Sequence, residues 1–541
     1  MLDWLRNWWR DTWRAPIAQR AFVLGMFLSL ALGVFLRLNS YLGHTISLWF
    51  DEAMWGSRVL HRDLLAFDIR PIGFIWLTRV LVTTFGATEI WLRLLPNLSA
   101  LTALLLMPYV ASRFLDNRLL RVLLVLLFAI HPALVDFANE FKPYGFEVLL
   151  HLVPIVLYLR LEQTQRLRYF YALLAYLPIS FLLAYNISFT YPGLLLLLLR
   201  YAWQSLSRRR LVMATLLSGV LCLGISLTIY KVALTKVVKE ERTENYWGRK
   251  YDVFYHPKEK ASRVDWTVER TNDMLAFIGL RRDTWLDGPR KIDEKTAREL
   301  GSADRLLWIG LSAVGLWALW QKRRAHLLLL GMPLLVVLGA NFVGKWPLGA
   351  FRTNIFAAVY LFLFPLIGME VLVRLGDVAQ RALAVAVLGF TLVPGFIYGF
   401  DWHGHKRTYT RDHYQREVLT KLYEYRKKEI AQHPEYGPAR LVMDSHTYHS
   451  HNYYLNDHPV FRERYRAFFK RNFNQDHVGR GALGPKVMQR LQRDDQPVWV
   501  VASKPTVMEE VDSYAKKNTK ILIREEIEGQ HLILLLDKRQ P

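Results

Sequence analysis

The 541-residue chain has a single cysteine, Cys222. One thiol closes no internal disulfide and builds no cysteine metal cluster, and its apolar surroundings read as packing. There is no glycine-rich phosphate loop, no internal repeat and no low-complexity tract. Nothing after the first apolar run reads as the small-residue cleavage site of a secretory leader. Acidic residues are scarce beside basic ones: 47 Asp and Glu against 70 Lys and Arg, a formal net charge of +23. In a soluble protein that excess points to nucleic acid, but no nucleic-acid motif accompanies it here.

Apolar runs are abundant instead. A helix needs about 20 apolar residues to cross about 30 Å of hydrocarbon. Runs centred on 22–36, 100–110, 122–130, 147–159, 173–183, 194–199, 211–229, 306–320, 327–338, 355–367 and 382–398 recur along the chain, most of them bracketed by Lys or Arg. A soluble helical core does not repeat this pattern so often. The expected fold class is an α-helical polytopic membrane protein with about 11–12 membrane segments.

Basic residues flank membrane segments and set their orientation, which explains much of the charge. The clusters at 118–121, 160–168, 208–210 and 322–324 read as cytoplasmic loops beside anionic lipid. Residues 1–20 intersperse Trp4, Trp8, Trp9 and Trp13 with Arg6, Arg10 and Arg14, a pattern suited to a helix lying on the cytoplasmic interface. With the N-terminus inside, a transmembrane region over 21–400 places a first loop (40–70), 138–144, a long loop (231–303) and 343–352 outside. Three apolar segments, 71–85, 91–112 and 119–137, crowd the interval before residue 138. Keeping 113–121 inside requires that 71–85 be re-entrant or interfacial rather than a full span. Beyond 400 the composition changes. Segments 441–444, 498–502, 521–527 and 531–535 read as strands, and 484–493 and 506–517 as helices between them. Residues 401–541 are therefore expected to form a small extracytoplasmic α/β domain without a catalytic role.

Four clusters of candidate residues fall on the side assigned as external. Asp51 and Glu52 sit soon after the first span among Trp49, Phe50 and Trp55. An apolar setting raises a carboxylate's pKa toward general-base duty; the plain alternative is that Asp51 caps a helix beginning at Glu52. Glu140, Lys142, Tyr144 and Glu147 open a later span. There Lys142 is either a point charge for a phosphate or a lysine snorkelling to the interface. Arg70-Pro71-Ile72-Gly73 closes the first loop, and a Gly- and Pro-containing turn runs from Lys345 to Arg352. Pairing with lipid headgroups is the alternative for these last cations. Carboxylates with several cations at one interface suit an enzyme acting on a phosphorylated lipid.

At these residues the sequence resembles the GT-C class of membrane glycosyltransferases, in particular the superfamily of protein O-mannosyltransferases and lipid A aminoarabinose transferases (glycosyltransferase family 39-like). The acidic pair Asp51-Glu52 followed by Arg70-Pro71 resembles the family's acidic first loop and its Lys-Pro or His-Pro segment. Phe85-Gly86, continuing to Arg93 and Pro96, resembles a further family stretch. Residues 140–144 and 347–352 resemble two later external-loop motifs. Arg70 stands where Lys or His is commoner, and Lys142 replaces an expected Arg with no Asp beside it; donor sugar and acceptor stay open on that account. The resemblance implies a polyprenyl-phosphate-linked sugar as donor and a lipid, glycan or protein acceptor, with inverting transfer on the external face of a bacterial inner membrane. It implies Asp51 as base and Glu52 as the residue positioning the acceptor or a cation. Arg70, Glu140, Lys142, Tyr144, Lys345 and Arg352 are then the candidate substrate and phosphate contacts. No nucleotide site is needed, no cofactor is assigned, and a divalent metal stays open. Membrane lipids are expected partners and nucleic acid is not. The rival readings are a transporter or flippase, an oligosaccharide ligase or polymerase, and a non-catalytic scaffold.

Overall fold

The computed structural model describes residues 16–42, 47–61, 71–205, 207–234, 294–349, 352–378, 415–434, 437–477, 497–503, 505–527 and 531–537, with isolated positions between 265 and 387. The expected interfacial helix (apart from its last residues), most of the 231–303 loop, Arg70, most of the 382–398 run and the 484–493 helix lie outside these residues. The chain forms two compact units. The first comprises Met1–Gly43, Phe67–Ile75 and Leu95–Lys406; the second comprises His44–Ala66, Trp76–Leu94 and Arg407–Pro541.

Among the described residues, six helices are long and apolar enough to cross a membrane: Ile17–Asn39, Glu89–Phe114, Tyr144–Thr164, Arg208–Val232, Arg324–Phe342 and Thr353–Val373. The chain is an integral membrane protein. On Arg208–Val232, Met213, Leu217, Val220 and Leu223 are exposed, as a lipid-facing surface requires. Ile72–Phe85 and Leu167–Leu183 are apolar but shorter. A helix of 14 residues such as Ile72–Phe85 reaches only about 21 Å.

The expected continuous segment at 119–137 is divided. A helix over Arg118–Ile130, capped by the Asn117 side chain, ends at His131, and Pro132 opens a separate short helix, Pro132–Asp136. Proline brings no N–H to the carbonyl four residues back, which leaves the Phe128 oxygen without its helical donor. The Arg37 guanidinium fills that place. It donates to the carbonyls of Phe128 at 3.0 Å, Ala129 at 2.9 Å and Gly33 at 3.0 Å. Gly33 allows this approach, because a Cβ there would press on Ala129. Farther along the first unit, a Cβ at Gly315 would overlap the carbonyl of Phe364, and one at Gly368 that of Leu311. The helices Glu294–Lys322 and Leu363–Val373 therefore meet backbone to backbone, the small-residue packing favoured where lipid supplies no hydrophobic drive.

Several of the basic loops meet at one end of the first unit. Arg113 donates to Gln163 at 2.6 Å, Arg323 to the Arg113 carbonyl at 3.0 Å, and Arg374 to Asp116 at 2.6 Å. His326 lies 2.7 Å from Glu162. The helix Tyr144–Thr164 carries Glu162 and Gln163 at this end and runs about 30 Å to Tyr144 at the other.

The second unit contains the helix Phe50–His61 and a five-stranded sheet in the order β2-β1-β3-β5-β4. The strands are β1 (Ala439–Met443), β2 (Phe473–His477), β3 (Val498–Ala502), β4 (Lys520–Ile527) and β5 (His531–Asp537). β1 pairs in parallel with β2 and β3, while β5 runs antiparallel to β3 and β4. All four expected strands are present, as is the expected helix at 506–517, seen as Pro505–Asn518. That helix packs Val507, Val511 and Ala515 onto Val442, Val500 and Leu534 of the sheet. β2 was not expected, because Phe473–His477 is too polar to show an apolar strand pattern.

Candidate functional site

In the first unit the chain leaves Pro132–Asp136 through a tight connection that carries Glu140 and Lys142. Both are buried, at 7% and 3% exposure, and the Lys142 amide donates to the Glu140 carbonyl at 2.7 Å. Asn139 anchors the connection. Its Oδ1 accepts from Asn97 at 2.8 Å, and its Nδ2 donates to the Val135 carbonyl at 3.0 Å. Gly145 lets the next helix start close by, since a Cβ there would press on the Pro96 carbonyl. Tyr144 is half-buried with its ring edge-on to Phe137.

Two other sequence clusters arrive at the same place. Phe74, three residues after Pro71, packs on Phe141 and Phe146 at centroid distances of 6.0 and 5.9 Å. The 3-10 turn Arg352–Ala357 packs along the start of Tyr144–Thr164, where Phe356 stacks on His151 at 4.2 Å. The preceding turn is pinned by Asn354, which accepts from the Trp346 indole at 2.8 Å and donates to the carbonyls of Pro347 and Gly349. Trp346 in turn lies edge-on to Phe189 at 5.1 Å. Lys345 is exposed on this turn. Arg352 is the first residue of the 3-10 turn. Segments near residues 71, 140 and 350 thus converge at the end of the first unit opposite the basic loops.

The acidic pair belongs to the second unit. Its helix begins at Phe50, and the Trp49 carbonyl accepts from the Ala53 amide at 2.9 Å. Asp51 therefore lies inside the first turn, where a negative charge favours the helix dipole, and does not cap a helix beginning at Glu52. Asp51 is half-buried, whereas Glu52 is 0% exposed. Arg93 binds Glu52 through both oxygens, Nε to Oε1 at 3.0 Å and Nη2 to Oε2 at 2.5 Å. Glu89, one turn earlier, accepts from Tyr454 at 2.9 Å and lies 3.0 Å from His458 Nε2. The Tyr454 hydroxyl also accepts from the Leu48 amide at 2.6 Å. Asp457 takes contacts from Ser57 and His61.

These partners were not read from the sequence as site residues. Arg93 belongs to a quoted motif, but nothing local reveals that its partner is Glu52, 41 positions away. Among the described residues, no group of three or more His, Cys, Asp or Glu is placed to hold a metal ion.

No protein-family model and no curated protein matches the chain. Among solved structures, it is similar to ArnT from Cupriavidus metallidurans in the apo state, with a TM-score of 0.48 and 13% identity over 96% of this chain and 98% of that one. The same protein bound to undecaprenyl phosphate gives 0.48 and 13% over 95% and 97%. The archaeal oligosaccharyltransferase AglB from Archaeoglobus fulgidus, in complex with an inhibitory peptide and a dolichol-phosphate, gives 0.46 and 11% over 97% and 75%.

Proposed function

We propose that this chain is an inverting glycosyltransferase of the GT-C class, which moves a sugar from a polyprenyl-phosphate donor to an envelope lipid, glycan or protein acceptor on the external face of the membrane. One observation carries the reading. Three separated motifs gather at the end of the first unit where Tyr144–Thr164 begins, close in the chain to the buried Lys142, while the positively charged loops gather at the opposite end. Basic loops favour the cytoplasm, so the motif end faces outward, as a lipid-linked donor requires.

In this reaction Asp51, the more exposed member of the acidic pair, takes the proton from the acceptor hydroxyl or amine. The acceptor atom attacks the anomeric carbon from the face opposite the phosphate. One bond to that carbon forms as the sugar–phosphate C–O bond breaks, and the electron pair leaves on the polyprenyl phosphate. Lys142, Lys345, Arg70 and Arg352 are assigned to the phosphate, whose charge grows as the bond breaks. The Tyr144 hydroxyl is assigned to the phosphate as a donor, and Glu140, an acceptor only, to hydroxyl groups of the substrate. Glu52, held by Arg93, positions the start of the Asp51 helix.

The test is transfer by the purified protein from a panel of polyprenyl-phosphate sugars, with release of polyprenyl phosphate as the readout. A reporter fused after Pro541 checks the orientation and should respond as external. A cytoplasmic signal, or no sugar released from any donor by well-folded protein, overturns the reading.

A further inference from the structure

Buried polar groups are almost always hydrogen-bonded, and each exception calls for an explanation. In the first unit, exceptions meet at one point. Asn186, on the 3-10 turn Tyr185–Thr190, is 1% exposed, and among the described residues neither its Oδ1 nor its Nδ2 has a hydrogen-bond partner. It neighbours Glu147 and His151 on successive turns of Tyr144–Thr164, without reaching hydrogen-bond geometry to either. His151 is 0% exposed; its Nδ1 lies 2.9 Å from the Tyr360 hydroxyl, and its Nε2 has no partner among the described residues. Glu147 is a buried carboxyl group. Aromatic rings wall the group: Phe356 stacks on His151, and Phe189 joins Phe356 to Trp346. Glu147 begins five residues after Lys142 in the chain, at the same end of the unit.

An amide offering donor and acceptor, an imidazole nitrogen and a carboxylate, set among aromatic faces, form a surface suited to sugar hydroxyls. We propose that Asn186, His151 and Glu147 form the subsite that reads the hydroxyl groups of the donor's sugar. This rests on the glycosyltransfer reading and extends it to the determinant of sugar choice. The unpartnered Asn186 and His151 atoms are closed to solvent here, so sugar entry requires the adjoining 343–349 turn, which touches Phe189 through Trp346, to open.

The test compares binding of bare decaprenyl phosphate with that of decaprenyl phosphate carrying a hexose, a pentose or an amino sugar. The proteins are wild type and Asn186→Leu, a near-isosteric change that removes both unpaired groups. Replacing an unsatisfied buried amide by an apolar group is neutral or stabilising, so the variant should unfold at or above the wild-type temperature. It should bind the bare lipid as wild type does and lose about tenfold or more, the worth of one good hydrogen bond, on the sugar-loaded lipid that wild type prefers. Glu147→Gln, which keeps shape and packing, should show the same selective loss and serves if Asn186→Leu fails to fold. Unchanged binding of every sugar-loaded lipid assigns the site to water alone and overturns the proposal, as does an equal loss on bare and loaded lipids. A wild type that binds bare lipid but prefers no sugar overturns this inference only. A wild type that binds neither removes the glycosyltransfer reading as well.

Discussion

Arg93 grips Glu52 with two parallel hydrogen bonds, and neither side chain is more than 6% exposed. Because removing one partner strands a buried charge, Arg93→Ala should destabilise the protein by about 3–5 kcal/mol. Thermal unfolding in detergent measures this. The pair is structural if Arg93→Ala with Glu52→Ala unfolds less readily than Arg93→Ala alone, since the double variant no longer buries a lone carboxylate.

Asp51→Asn retains the size of Asp51 and most of its hydrogen bonding but cannot accept a proton. A general base contributes about 10²–10⁴-fold, so transfer should fall by at least a hundredfold while the unfolding temperature stays near wild type. A fully active Asp51→Asn enzyme would place the base elsewhere.

The phosphate assignments separate by burial. Lys345 is exposed, so Lys345→Ala should fold normally and raise the KM for donor. A charge-assisted contact is worth about 1.5–3 kcal/mol, or roughly ten- to a hundredfold. Lys142→Met retains bulk at a buried position and should give a loss of the same size, as should Arg352→Ala and Arg70→Ala. Full activity of all four variants at limiting donor would move the phosphate away from these cations.

Arg37 closes the break at Pro132 through three carbonyls. Arg37→Leu strands the Phe128 oxygen in an apolar interior and removes the bonds to Ala129 and Gly33, which should cost about 1–3 kcal/mol or more, read as lower folded yield and a lower unfolding temperature. Arg37→Lys should recover only part of this, because an ammonium lacks the planar fork that reaches all three. A stable Arg37→Leu protein would show that the break holds without it.

In the second unit, burial pushes the His451 imidazole down to about 3 from the ordinary 6.5. The unfolded chain takes up a proton below about 6.5 that the folded one refuses until about 3. This contribution is therefore intact above pH 6.5 and is lost progressively on acidification toward pH 3. Going from pH 7 to 5 should cost about 2 kcal/mol. His451→Phe, which retains an aromatic ring against Phe469, should flatten that dependence in amide exchange of the sheet. Glu525 and Asp512, each held below its ordinary carboxylate value by hydrogen-bonded cationic partners, Lys421 and Arg524, add acid sensitivity at lower pH. An unchanged profile in His451→Phe would assign the acid loss to them.

Local pattern in the sequence determined the elements whose physics is local. Hydropathy over about 20 residues marks membrane helices, and the unbroken apolar run at 498–502 became β3 over those same residues. Loop charge anticipated that 113–121 and 321–326 share one end, now joined by Arg113 and Arg323. The acidic pair and Lys142 stood out because charge beside a membrane span is costly. Tertiary structure decided what depends on partners distant in the chain. Hydropathy did not reveal that Glu52 is bound by Arg93, that Arg37 supplies the donor Pro132 withholds, or that Asn186, beside Glu147 and His151, has no hydrogen-bond partner among the described residues. Buried polar groups acquire their roles from whichever groups the packed helices bring within about 3 Å, and that distance is set by close approaches such as Gly33 on Ala129, which no sequence period encodes.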